Sequence, residues 1–194
     1  MSKADPSQAR RERNKTIRWV VTIFLVTIFV SGAITLISDE IMSKSGIVTS
    51  FVILLIIVLI GIVFDIVGVA VTSADESPFH SMAARKVPGA QEAIRLLRNA
   101  ERVSSICNDV VGDICGVVSG SASATIAAQL LTKFDFSWPM LVGLLMSACV
   151  SGITVGGKAI GKTFAVNSST AIVHFAGRVI ALLHGNRKSP KCKK

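Results

Sequence analysis

Three aspartates lie inside long apolar segments of the chain, where a charged side chain is costly. They are Asp65, Asp109 and Asp113. On membrane-insertion scales an acid at the centre of a spanning helix costs ~2.5–3.5 kcal/mol, so intramembrane acids generally face a protein interior, a partner or an ion path. These positions predict a site that handles cations within a membrane.

The third apolar segment carries two of these acids on one helix face, because Asp109 and Asp113 are four residues apart. Asn108 adds a side-chain carbonyl oxygen beside them. Counted at 1.5 Å per residue from membrane boundaries near Val103 and Thr72, Asp109 lies ~9 Å deep, Asp65 ~10 Å and Asp113 ~15 Å. Carboxylate and amide oxygens at one depth are typical ligands of Mg²⁺. We therefore predict a metal site formed by Asp65, Asn108, Asp109 and Asp113.

A second interpretation of these acids needs no bound metal. Buried acids that are ionised together must be offset by a cation, a proton or a basic side chain. Lys158, in the glycine-rich stretch that follows the fourth segment, is available for such an ion pair. On this interpretation the acids are packing groups, and the protein is a non-transporting membrane scaffold or subunit.

Four stretches are apolar enough to form membrane-spanning helices, in a chain of 194 residues with a mean hydropathy of +0.60. About 20 such residues are needed to cross ~30 Å of hydrocarbon. The third stretch is rich in small residues, and Gly112, Gly116 and Gly120 form a strip that permits close helix packing. The predicted spans are residues 17–38, 46–71, 106–131 and 138–155.

Basic residues are concentrated on one side of these spans, in a chain whose net charge is +9. Of the 21 Lys and Arg residues, only Lys44 and Lys133 fall in the two short loops of the opposite side. By the positive-inside rule this asymmetry predicts a multi-pass protein of the cell membrane with both termini in the cytoplasm. The basic residues are expected to touch anionic lipid headgroups, and a nucleic-acid partner is not expected.

The fold class predicted from these features is all-α and integral to the membrane. Two amphipathic or apolar stretches, at residues 89–102 and 168–183, are predicted to be cytoplasmic juxtamembrane helices. The organisation along the chain is a basic arm (1–16), an extra N-terminal span (17–38), a main domain (46–183) and a basic tail (184–194).

Residues 156–163 match the phosphate-loop pattern GxxxxGK[ST]. That loop requires a preceding β-strand, whereas the preceding segment here is a predicted spanning helix. ATP is therefore not expected, and the glycines are interpreted as a flexible, lipid-facing hinge. The three histidines are isolated, and the four cysteines lack the spacing of metal ligands. Neither an enzyme nor an organic cofactor is predicted.

From the second span onward, the order of features resembles the transmembrane domain of the CorB/CorC and cyclin-M family of Mg²⁺ transporters. The stretch from Phe64 to Ser77 resembles that family's FFSGSETALTS helix end. The segment from Lys86 to Val103 is similar to its G…A…LLEDPER connector, and Ile106-Cys-Asn108 is similar to the start of its next helix, which has an IGNN-type asparagine.

The resemblance implies a homodimeric domain that holds a dehydrated divalent cation between its helices, with Asn108 as the firmest equivalent. Asp65 stands where the family has a serine near that site. The family's SETA glutamate falls on Gly68 and its GEIxPK glutamate on Lys158. The predicted form is minimal, without the family's paired regulatory domain. The predicted function is a Mg²⁺-type transporter or channel core, and a membrane scaffold whose acids pair with Lys158 is the alternative.

Overall fold

The computed structural model describes residues 6–134 and 138–183, with side chains from residue 17 onward. The basic tail at 184–194 and the first five residues of the basic arm lie outside the described residues. The described elements are all helical: α1 (Pro6–Lys44), α2 (Ile47–Ser73), α3 (Ser77–Ala84), α4 (Ala90–Arg98), α5 (Ala100–Ser104), a π-helical segment (Ser105–Val111), α6 (Gly112–Lys133), α7 (Pro139–Asn167) and α8 (Ser169–Leu183).

Four helical stretches are long and apolar enough to cross a membrane, as the hydropathy pattern predicts. They are Ile17–Lys44, Ile47–Ser73, Ala100–Lys133 and Pro139–Asn167. The third stretch runs without a break through α5, the π-helical segment and α6. Each stretch is longer than its predicted span, because hydropathy detects only the apolar part of a helix that continues into polar residues.

Helix α2 is the centre of the bundle, since it packs against both α6 and α7, whereas α1 packs mainly against α6. Close packing between α2 and α7 depends on two glycines. A Cβ on Gly157 would lie 2.5 Å from Ile62, and one on Gly161 would lie 2.8 Å from Ile66. The prediction of a lipid-facing glycine hinge is therefore wrong at these two positions. Both glycines pack against side chains of α2, and helix α7 continues without a break to Asn167.

Three short helices, α3, α4 and α8, lie at one end of the bundle, which we call the juxtamembrane end. The opposite end, with the connection at 45–46 and the end of α6 at Lys133, is called the loop end. The predicted helix at 168–183 is confirmed as α8, and the one predicted at 89–102 is divided into α4 and α5. Helix α3 is not predicted from the sequence.

The crossing of α4 and α8 depends on glycine at both helices. A Cβ on Gly177 would lie 2.5 Å from the carbonyl oxygen of Gly89 and 2.9 Å from the amide nitrogen of Ala93. Gly89 has a φ of 87°, in the left-handed region that favours glycine. Side chains larger than hydrogen at this crossing would force α8 away from α4.

The buried apolar side chains form two clusters, one near each end of the bundle. The cluster at the juxtamembrane end consists of Ala70, Val71, Phe79, Ala93, Ala165 and Val173. The cluster toward the loop end consists of Met42, Leu54, Val58, Ala122 and Ile126. Along α2, Asp65 therefore lies between the residues of the two clusters.

Candidate cation site

Helices α2 and α6 approach each other closely along a face of α2 that carries glycine. A Cβ on Gly61 would lie 2.9 Å from Cβ of Cys115, and one on Gly68 would lie 2.8 Å from Cγ of Asn108. Helix positions three and four apart share a face, so Asp65 is on the same face as these two glycines. The antiparallel register set by the two contacts places Asp65 at the level of Val111 and Gly112.

Asp65 is buried at this helix–helix contact, with 4% of its surface exposed. Its Oδ2 atom is inaccessible and has no hydrogen-bond partner among the described residues. A buried polar group left without a partner costs about 1–3 kcal/mol, so native proteins generally supply a protein group, a water or an ion. One carboxylate oxygen of Asp65 therefore lacks the hydrogen-bond or ionic partner that a buried oxygen requires.

Asn108 brings a second buried oxygen without a partner to the same region. Its amide nitrogen Nδ2 donates to Oγ of Ser104 at 3.2 Å, which orients the side chain. The carbonyl oxygen Oδ1 is inaccessible, packs directly against Gly68, and has no hydrogen-bond partner among the described residues. Gly68 is one turn from Asp65, so the two oxygens belong to one short section of the α2–α6 contact.

The π-helical segment positions Asn108. Segments of this kind are rare, widen the helix by one residue per turn, and occur frequently at functional sites. Here the segment spans Ser105–Val111 and therefore includes Asn108 and Asp109. No hydropathy or spacing signal in the sequence predicts this change of register.

Asp109 and Asp113 do not join Asp65 in an enclosed site. Both are exposed, whereas Asp65 is buried. Asp109 accepts a hydrogen bond of 2.6 Å from Oγ of Ser105 on its own helical stretch. Asn108 packs against Gly68 of α2, whereas Asp109, the next residue, is exposed and bonds within its own helical stretch. The predicted meeting of Asp65 with Asp109 across the two helices is therefore not formed, although the two residues lie at similar depth.

Among the residues that the structure describes, no group of three or more His, Cys, Asp and Glu side chains is arranged to hold a metal ion. The buried oxygens without a partner on the facing sides of α2 and the π-helical segment are one carboxylate oxygen of Asp65 and the amide carbonyl oxygen of Asn108. Mg²⁺ usually keeps several waters and is bound by only one or two carboxylates, so this donor set has the right chemistry for part of its shell.

Lys158 lies close to the same level. Its ammonium nitrogen is 3.4 Å from the position of a Cβ on Gly112. In the described part of the chain, no carboxylate is within 4.0 Å of this nitrogen. The ion pairs that the scaffold interpretation expected between Lys158 and the intramembrane acids are therefore not formed.

The phosphate-loop match at residues 156–163 lies wholly inside α7. A phosphate loop leaves its backbone amides free to surround the phosphates, whereas an uninterrupted helix uses them in its own hydrogen bonds. The segment thus has a geometry that does not cradle phosphate.

A fourth aspartate, Asp39, was assigned by the sequence to a short loop, and that assignment is wrong. It lies within α1, which continues to Lys44. Its carboxylate accepts hydrogen bonds from Oγ of Ser121 at 3.0 and 3.2 Å and from Oγ1 of Thr125 at 3.4 Å. The four-residue spacing of Ser121 and Thr125 is the sequence signal that indicates a polar face on α6.

Gln129 extends this polar contact toward the loop end. Its Nε2 atom donates to the carbonyl oxygen of Met42 at 2.6 Å, and Oγ of Ser50 lies 3.4 Å from its Oε1. These residues join α1, α2 and α6. Since the carboxylate of Asp39 already has hydroxyl donors, this group has a structural role and differs from Asp65, which lacks a partner.

Comparison of the chain with protein-family models, with curated proteins and with solved structures finds no match. The resemblance to the CorB/CorC and cyclin-M family therefore stays a prediction.

Proposed function

We propose that the protein is integral to the cell membrane, with four spans and the juxtamembrane end in the cytoplasm. Four helices have the necessary length and hydropathy. Large apolar side chains on them are exposed, among them Phe29 at 76%, Leu36 at 73% and Val48 at 78%. Such a surface exceeds what soluble proteins expose, and hydrocarbon would cover it. The basic residues near α4 and α8 support the proposed orientation.

We propose further that the protein is the core of a transporter or channel for a divalent cation of the Mg²⁺ type. The observation that carries this proposal is the pair of buried oxygens without partners, Oδ2 of Asp65 and Oδ1 of Asn108. Two buried oxygens without partners, so close along the contact between two helices, destabilise the protein unless a ligand binds them. A hard cation that retains part of its water shell would do so.

Asp109 and Asp113 have a different role in this proposal. Because they are exposed on the stretch that carries Asn108, they would attract a cation toward the site rather than enclose it. The resemblance of residues 64–77 and 86–108 to the Mg²⁺ transporter family adds independent support for the ion class, and for the homodimer that we expect.

The proposal is tested by flux into liposomes that contain the purified protein and a Mg²⁺-sensitive dye. Asp65→Asn is expected to reduce Mg²⁺ flux at least about tenfold, since an intramembrane carboxylate is replaced by a neutral group. Asp75→Asn, the same change in the exposed connection after α2, should leave flux unchanged. Flux of Asp65→Asn at the wild-type level would rule out this site.

The second candidate function is a scaffold or subunit that does not transport. It is favoured by the exposure of Asp109 and Asp113, since exposed acids at membrane depth would be neutralised by a basic partner helix. On this view Asp109→Asn would alter co-purification or oligomer size without any change in Mg²⁺ flux. Reduced flux with unchanged assembly would support transport instead.

A further inference from the structure

A cavity of about 180 Å³ lies between α6 and α7 and is open at the surface, since Gly116, Gly120, Ser147 and Ser151 in its lining are exposed. Its lining is rich in hydroxyl groups, with glycines and valines filling the rest. At ~30 Å³ per water, this volume accommodates roughly six waters. We call it the hydroxyl cavity, and its polar side chains are Ser119, Ser123, Ser147, Ser151 and Thr154.

The hydrogen-bond donors in this lining are largely used within the helices themselves. Ser119 donates to the carbonyl oxygen of Gly116 at 2.9 Å, and Ser123 donates to that of Gly120 at 2.8 Å. Thr154 donates to the carbonyl oxygen of Val150 at 2.7 Å. A hydroxyl has one proton, so these three groups can offer only lone pairs to the cavity. These lone pairs suit a cation or water.

The hydroxyl cavity leads toward the level of Asp65. Its lining includes Gly116 on α6, and the Lys158 ammonium lies beside Gly112, one helical turn closer to the juxtamembrane end. Gly112 is also at the level of Asp65, given the contacts of Gly61 with Cys115 and of Gly68 with Asn108. The cavity therefore lies on the loop-end side of a level that the Lys158 ammonium shares with the Asp65–Asn108 region.

We propose that the hydroxyl cavity is a hydrated vestibule for the cation, on the loop-end side of the path to Asp65 and Asn108, and that Lys158 limits passage at its inner end. The inference rests on the proposed transport function and adds its route. Hydroxyl lone pairs replace part of the water shell of the cation, whereas the fixed positive charge of Lys158 opposes its further movement.

Mg²⁺ flux in liposomes tests the route. Ser151→Leu places a large apolar side chain in the cavity and is expected to reduce flux at least about tenfold by steric block and loss of water. Ala148→Leu, on the same helix but outside the lining, is the matched control and should retain flux. Lys158→Met should raise flux at least about threefold by removing a repulsive charge, whereas Lys162→Met on the exposed next turn should not.

Cysteine accessibility provides a readout that does not depend on flux. In a variant with its four native cysteines changed to alanine, Ser151→Cys should react with a membrane-impermeant cationic thiosulfonate added from the loop-end side. Ala148→Cys should react at least about tenfold more slowly, because Ala148 lies outside the lining that we propose to be hydrated.

The outcomes separate the two proposals. If Asp65→Asn abolishes flux while Ser151→Leu matches Ala148→Leu, transport stands and the vestibule is refuted. Equal reactivity of Ser151→Cys and Ala148→Cys likewise refutes it. If Asp65→Asn retains flux, the proposed function fails, and the route fails with it.

Discussion

Asn108 and Gly68 are in such close contact that a Cβ atom on Gly68 would lie 2.8 Å from Cγ of Asn108 and would overlap its Oδ1. Gly68→Ala should therefore displace Asn108 and lower the free energy of unfolding by about 1–3 kcal/mol, as overpacking does. The measurement is denaturant or thermal unfolding of the purified protein in detergent, with Mg²⁺ flux as a second readout.

Gly143→Ala is the control for this change, since nothing lies within 4 Å of a Cβ at that position. Alanine favours a helix over glycine by ~0.5–1 kcal/mol, so the control should be as stable as wild type or slightly more stable. Equal stability of the two variants would show that Asn108 can move away without loss.

Asp65→Asn is predicted to preserve or increase stability when divalent cations are absent. The change replaces a buried carboxylate that lacks one partner by a neutral amide of the same size. In wild type, Mg²⁺ should raise the melting temperature in proportion to ln(1 + [Mg²⁺]/Kd), and Asp65→Asn should lose this rise. Asp75→Asn should keep it. A loss of more than ~2 kcal/mol in Asp65→Asn without Mg²⁺ would mean that the carboxylate already has a stabilising partner.

Asp39→Ala is predicted to destabilise the packing of α1 on α6. The substitution removes the acceptor of the Ser121 and Thr125 hydroxyls, at an expected cost of about 1–3 kcal/mol. Glu40→Ala, next along the chain, removes only an exposed ion pair with Lys44 and should cost less than ~1 kcal/mol. Thermal unfolding compares the two, and equal effects would argue against a structural role for Asp39.

Gly177→Ala is predicted to separate α8 from α4, because its Cβ would lie 2.5 Å from the carbonyl oxygen of Gly89. Amide hydrogen exchange should become faster in both helices, with a stability loss of about 1–3 kcal/mol. Gly156→Ala is the matched change in open space and should leave exchange in α4 and α8 as in wild type. Unchanged exchange in Gly177→Ala would show that the crossing tolerates a side chain.

Asp39 shows how a correct hydropathy reading still misplaces a residue. Its neighbours from Ser38 to Ser45 are polar enough to read as a loop, yet α1 continues to Lys44. The hydroxyls of Ser121 and Thr125 on α6 donate hydrogen bonds to this carboxylate. These donors lie 82 and 86 positions away in sequence. Local polarity cannot reveal it.

The acids of the third span show the same limit. The α-helical spacing of Asp109 and Asp113 predicts a shared face, but it does not say which face of the segment meets α2. In the structure the residue that contacts α2 is Asn108, within the π-helical segment, and both acids are exposed. A shift of one residue turns a side chain by about 100°, so a small change of helix register decides which group is buried.

The sequence by itself determined four apolar helices of spanning length, a helix near residues 168–183, and the presence of polar groups within the apolar segments. These follow from hydropathy and local spacing, which depend on neighbouring residues alone. Only the tertiary structure decided that Asn108 packs against Gly68, on the face of α2 that carries Asp65, that Lys158 lies beside Gly112, and that hydroxyls line a cavity between α6 and α7. The physical reason is that glycines let particular helix faces approach, and that choice depends on the fit of whole surfaces rather than on any one segment.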